Sequence, residues 1–184
     1  MHLFRRSAYR VRTSSTVTTD MAFLRQVSRA LDDEHRTNLE LLGRIEQAFA
    51  RASQTGMATD PDLVRLAGSF SRQLEQDIGR HFDFEERELF PRMAEAGDGD
   101  MAALLGEEHD AIRELAAELL PLACAAAKGV LAIDGWDALR RGCLEMVDRQ
   151  VAHIQKETMA LLPMLDDLLD EETDRELAFA YVSV

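Results

Sequence analysis

The chain is 184 residues long, 46% hydrophobic but only 6% aromatic, and carries a formal net charge of −13. That length suits one domain with a full core, and an aliphatic core with four prolines and ten glycines favours a few long helices over a sheet. The acidic balance repels phosphate backbones, which excludes nucleic acid as the main partner, and no 18-residue apolar run exists to cross a membrane.

Residues 1–20 form a basic leader, with Arg5, Arg6, Arg10 and Arg12 and no acid before Asp20. They lack the apolar run of a secretory signal, and their Arg- and Ser/Thr-rich composition only superficially matches a transit peptide. They read as a disordered leader, or as sequence upstream of a translation start at Met21. The first helix is expected from about Asp20 to Arg51, where Leu24, Val27, Leu31, His35, Asn38, Leu42, Ile45 and Phe49 make one stripe in steps of three and four. The segment SQTGMAT breaks it, and Asp60-Pro61 restarts a helix with Asp as cap and Pro in the first turn.

The second helix, roughly 61–96, buries Leu63, Leu66, Phe70, Leu74 and Ile78 and continues through His81, Glu85 and Leu89, with Pro91 expected to kink it. Gly97 and Gly99 turn the chain into a third helix from about Asp100 to Lys128. There Leu105, Ile112, Ala116 and Leu119 share a face with His109, and Gly129 stops the helix. The fourth helix starts near Asp134 and passes through Leu139, Cys143, Met146, Gln150, His153, Glu157, Leu161 and Met164. The tail, 169–184, is acidic and then mildly apolar, and reads as a short fifth helix. Cys124 and Cys143 form no metal-type spacing, so they are expected as small core side chains in a reducing, cytoplasmic compartment.

All histidines but His2 fall into one pattern: His35, His81 with Glu85, His109, and His153 with Glu157. Each His–Glu pair is four residues apart, so both side chains leave one face of a helix. The segments HFDFEERELFP and HIQKETMALLP read as two copies of one design, and the histidines lie 46 residues apart in the first half and 44 in the second. Four antiparallel helices bring such inward positions to one depth, and imidazoles with carboxylates suit a pair of transition-metal ions. Two buried glutamates without partners would each cost several kcal/mol, which metal binding removes.

In the order His, HxxxE, His, HxxxE, the chain resembles the hemerythrin-like HHE cation-binding domain over about residues 24–168. The resemblance implies an all-α, up-down-up-down antiparallel four-helix bundle (residues 21–168) with a short C-terminal extension. It implies a non-haem centre of two iron ions, oxo- or hydroxo-bridged. His35 and His81 would hold one iron, His109 and His153 the other, and Glu85 and Glu157 would bridge them. Oxygen-carrying hemerythrins have a further histidine where this chain has Arg113, and a final Asp at the position of Thr158. A more open site with four histidines follows.

The function expected is binding or sensing of oxygen, nitric oxide, or iron and redox status, with no membrane partner. The alternative is a di-iron enzyme that reduces peroxide or nitric oxide, or donates iron for repair of iron centres. Zinc or manganese satisfies the same spacing. Glu34, Glu86 and Glu108 neighbour motif histidines and are expected to be solvated or to orient an imidazole. Tyr9 and Tyr181 receive no role.

Overall fold

The computed structural model describes residues 23–52, 57 and 60–183, apart from the side chains of residues 76 and 77. The leader, Tyr9 and most of the SQTGMAT break lie outside them. Every regular element among the described residues is helical. Four rods form the bundle. The first is α1 (Gln26–Arg51); the second is a run of α2 (Pro61–Arg72), α3 (Ile78–Phe84) and α4 (Phe90–Met93); the third is α5 (Gly99–Ala127); the fourth is α6 (Ile133–Lys156) continued by α7 (Leu162–Leu168). A short α8 (Glu171–Val182) follows.

Local chemistry sets the ends. Asp60 accepts from the N–H groups of Asp62 (2.9 Å) and Leu63 (3.4 Å), with Pro61 in the first turn, as expected of a cap. Gly129 takes φ +68° and closes α5: its N–H donates to Ala126 O, and the Val130 N–H reaches back to Ala125 O. Gly97, at φ +106°, provides the turn between the second and third rods.

Contacts run around the ring: first rod on second, second on third, third on fourth, fourth on first. Ser28 meets Leu162 and His35 meets Glu157; His109 meets Glu86 and Arg113 meets Asp83; Glu108 meets His153 and Ala111 meets Arg149. His35 also faces His81, and Phe49 and Leu63 line one cavity. Neighbouring rods therefore run in opposite directions.

The second and fourth rods share a feature the periodicity does not show. Each widens to a π-turn that starts at the motif glutamate: the Phe90 N–H bonds Glu85 O, and the Leu162 N–H bonds Glu157 O, five residues apart instead of four. Pro91 and Pro163 each follow in the next turn. A proline cannot donate and its ring strikes the carbonyl four residues back, so an extra residue in the preceding turn relieves the clash. Pro91 was expected to interrupt its helix, and the π-turn is the form this takes. It also shifts the helical phase. The stripe expected to continue from Leu161 to Met164 instead buries Leu161, Leu162, Leu165 and Leu169, and Met164 is only half-buried. Pro121, which lacks such a turn before it, lies inside the continuous α5.

The core is two apolar plugs. One is built on Leu42, Phe49, Leu66, Phe70, Leu119, Leu139 and Met146; the other on Val27, Leu31, Leu89, Met93, Leu105, Leu161 and Leu165. The second plug includes Leu177 and Tyr181 of α8, so the tail packs on the bundle. Leu24, expected in the first stripe, is 76% exposed because α1 begins only at Gln26.

No side chain of α1 itself caps its N-terminus. Two distant carboxylates do so: Asp166 accepts from the N–H groups of Leu24 (2.6 Å) and Arg25 (2.9 Å), and Asp174 from those of Gln26 (2.9 Å) and Val27 (3.0 Å). Asp174 is buried and its charge sits at the positive end of the helix. Asp174→Ala is expected to destabilise the protein by about 1–2 kcal/mol, the usual value of such a cap. Urea unfolding measures it, and an unchanged midpoint would remove the capping role.

Candidate metal centre

Between the two plugs lies a polar layer. His35 from α1, His81 from α3, Glu85, His109 from α5, His153 from α6 and Glu157 all point into it, none more than 4% exposed. The six residues singled out by spacing are thus brought together. They fall into two overlapping groups, His35–His81–Glu85–Glu157 and Glu85–His109–His153–Glu157, and within each the candidate ligand atoms lie within 4.8 Å of one another. Both glutamates belong to both groups.

The distances are those of a coordination shell. His35 Nε2 and His81 Nε2 are 3.3 Å apart, and His109 Nε2 and His153 Nε2 are 3.0 Å apart. Two imidazoles at right angles on one metal, each about 2.1 Å from it, stand about 3 Å apart. His35, His81 and His153 lie 3.1, 3.2 and 2.9 Å from the nearest oxygen of Glu157, Glu85 and Glu157 respectively. His109 lies 3.4 Å from Glu85 and 3.6 Å from Glu157.

Yet, beyond these ion-pair contacts with imidazoles, no oxygen of Glu85 or Glu157 makes a hydrogen bond of good geometry, although both residues are fully buried. Four orphaned carboxylate oxygens ringed by four imidazole nitrogens fit a divalent metal pair. Without metal the layer balances its charge with protons. Burial disfavours the charged imidazole at His109, but Glu157 and Glu85 outweigh it and raise its pKa to about 9. His81 and His153 are raised in the same way, against burial, chiefly by Glu85 and Glu157 respectively. Burial likewise disfavours the charge of Glu157, but the imidazoles of His109, His153 and His35 hold it well below the usual carboxylate range.

The outward nitrogens decide which way the imidazoles present their lone pairs. His109 Nδ1 meets Glu86 at 2.8 Å and His153 Nδ1 meets Glu108 at 3.0 Å. An Nδ1–H donated to a carboxylate leaves Nε2 unprotonated and aimed inward. Arg113 steadies Glu86 at 2.6 Å, and Lys156 steadies Glu108 at 2.8 Å. Glu86 and Glu108 thus orient imidazoles, one of the two roles expected of them.

The third partner was missed. His81 Nδ1 lies 2.9 Å from the Tyr181 hydroxyl, which donates to Glu34. Tyr181 comes from α8, and one tyrosine in an acidic tail carries no positional signal. The three carboxylates do follow a rule that spacing alone could have suggested. Each serves the histidine of the next rod: Glu34 serves His81 through Tyr181, Glu86 serves His109, and Glu108 serves His153.

Phe82 stacks on the His109 ring, with centroids 3.6 Å apart and planes 6° from parallel, and closes that side. On another side a small cavity is lined by His35, His81, His153 and Glu157 together with Asn38 and Gln150. It holds about one water-sized molecule. Among the described residues no helix is long and apolar enough to cross a membrane.

Comparison with curated proteins finds no match. Comparison with family models matches residues 26–165 to the hemerythrin HHE cation binding domain. That span contains all six residues of the polar layer and all four rods but for the last three residues of α7. The chain is a metal-binding protein of the hemerythrin HHE cation-binding domain family.

Proposed function

We propose that this chain is a non-haem di-iron protein that binds or senses a small diatomic ligand, oxygen or nitric oxide. His35 and His81 would hold one iron, His109 and His153 the other, with Glu85 and Glu157 bridging. The observation that carries the reading is a fully buried layer in which four carboxylate oxygens make no hydrogen bond and face only imidazole nitrogens among the described residues, at 2.9–3.6 Å. Mixed imidazole and carboxylate donors suit iron, zinc and manganese alike, and the family favours iron among them.

A bound iron pair supplies redox-active metal with coordination positions that a small ligand can take. The chain's own residues do the rest. Two carboxylates offset part of the metal charge, and Glu86, Glu108 and Tyr181 fix the imidazole rings. The two apolar plugs keep bulk water away. Asn38 and Gln150 offer amide groups to whatever occupies the cavity against His35 and Glu157. The free cysteines Cys124 and Cys143 agree with a cytoplasmic location.

Protein purified from iron-replete cells is expected to carry two irons per chain by elemental analysis. His81→Ala and Glu157→Ala should lose metal, whereas Arg113→Ala, which reaches the layer only indirectly through Glu86 and the Phe82 ring, should keep it. Equal retention in all three would overturn the assignment. Azide, a triatomic probe, should bind the loaded protein several-fold more weakly in Gln150→Leu, the value of about one lost hydrogen bond. Unchanged azide affinity in a spectrophotometric titration would remove Gln150 from the ligand cavity.

The metal-free protein has a pH dependence of its own. A histidine raised from about 6.5 to about 9 contributes stability that is full below its unfolded value and lost as pH rises through the folded one. Metal-free protein should therefore melt at progressively lower temperature from pH 6.5 to pH 9. Loaded protein, whose imidazoles bear metal in place of these protons, should not. Parallel curves for the two forms would contradict this.

A further inference from the structure

The four imidazoles are not anchored alike. His109 and His153 are each held by a carboxylate from a neighbouring rod, and each carboxylate is paired with a cation. On the other half of the layer, His35 Nδ1 is buried and has no partner. His81 Nδ1 rests on a phenol, and the phenol arrives from outside the four rods.

That phenol is firmly placed. The Tyr181 hydroxyl donates to Glu34, and Arg80 pairs with Glu34 at 2.8 Å. Arg80 also donates to the Tyr181 carbonyl at 3.3 Å, and its guanidinium lies 5.1 Å over the Tyr181 ring. Further along α8, Leu177 is buried and Asp174 caps α1 seven residues before Tyr181. One face of α8 therefore does two things: it fastens the start of the helix that carries His35, and it sets the ring of His81.

We propose that α8 is a working part of the metal centre: Tyr181 is the positioning residue for the His35/His81 metal position, and only that position depends on it. The His109/His153 position draws its support wholly from the rods and is independent of α8. The inference rests on the two-metal reading above. Its physical basis is orientation. A ligand imidazole without an outer acceptor can rotate and can present its N–H inward, and such outer partners change metal affinity by about 10–100-fold. His35 has no such partner, and without the Tyr181 hydroxyl His81 keeps only the longer 3.4 Å contact with Glu34, so both imidazoles of that position are poorly guided.

The test is a titration of metal-free, full-length protein with cobalt(II), whose visible absorption reports its coordination. Wild type should take up two equivalents. Tyr181→Phe should take up the first as wild type does and bind the second about 10–100-fold more weakly. With one equivalent, its spectrum should match that of His35→Ala, in which only the His109/His153 position is complete. Glu34→Gln, altered on α1 rather than α8, should reproduce the effect, and it carries the test if Tyr181→Phe does not fold. Glu108→Gln should weaken the other step. Two steps weakened equally, neither weakened, or a one-equivalent spectrum matching His153→Ala would overturn the inference with the two-metal reading intact. Wild type taking up fewer than two equivalents would overturn both.

Discussion

The polar centre of this molecule is arranged around two carboxylates shut off from bulk water. Glu85 and Glu157 are completely buried, at mid-bundle, with none of their oxygens hydrogen-bonded. An unpaired carboxylate in such a place costs several kcal/mol. The layer offsets this with four imidazoles whose nitrogens come within 2.9–3.6 Å of the carboxylate oxygens. Held by protons alone, that is a compromise: burial opposes each positive charge that the carboxylates favour. A bound metal pair would be held by these inward nitrogens and oxygens and would relieve that opposition. The two apolar plugs on either side keep the layer dry, which raises the cost of each charge and strengthens the attraction between opposite ones.

Around that layer runs an outer ring with a direction. A carboxylate on each of the first three rods supports the histidine on the rod that follows. The first copy of the motif reads His81, Glu85, Glu86; the second reads His153, Glu157, Thr158. The residue after the inward glutamate thus supplies Glu86 to His109 in one half and a threonine in the other. The relay breaks at the point where the fourth rod would have served the first, and His35 Nδ1 is the atom left without a partner. One asymmetry of the centre thus falls where the repeat is imperfect.

The inner layer was legible in the sequence because it obeys helical periodicity: histidines and glutamates in core phase, four residues apart, can face only one way. Helix ends at Asp60-Pro61 and Gly129 were legible for the same local reasons. Two kinds of information were not. Periodicity assumes a constant turn, so the π-turn at Glu157 moved the stripe beyond Leu161 out of its expected phase and buried Leu162 and Leu165 where Met164 was expected. Contacts between distant segments leave no pattern at all. Nothing in residues 169–184 announces that Asp174 caps a helix 147 residues earlier or that Tyr181 meets a histidine 100 residues before it.

The same duplication explains why the C-terminal helix matters where it does. A repeat of two helix pairs would give two equivalent metal positions if every supporting residue were copied. Here the His109/His153 half has both outer carboxylates inside the repeat, and the His35/His81 half has one, Glu34, which reaches its imidazole chiefly through a hydroxyl. The Glu34 carboxylate lies 3.4 Å from His81 Nδ1, beyond good hydrogen-bond distance, and the Tyr181 oxygen fills that gap at 2.9 Å. Burial alone would raise the pKa of Glu34, yet His81, Tyr181 and Arg80 hold it at about 2, so the acceptor stays ionised. An element outside the repeat thus completes the half that the repeat left short, and the two halves of one centre come to differ in what holds them.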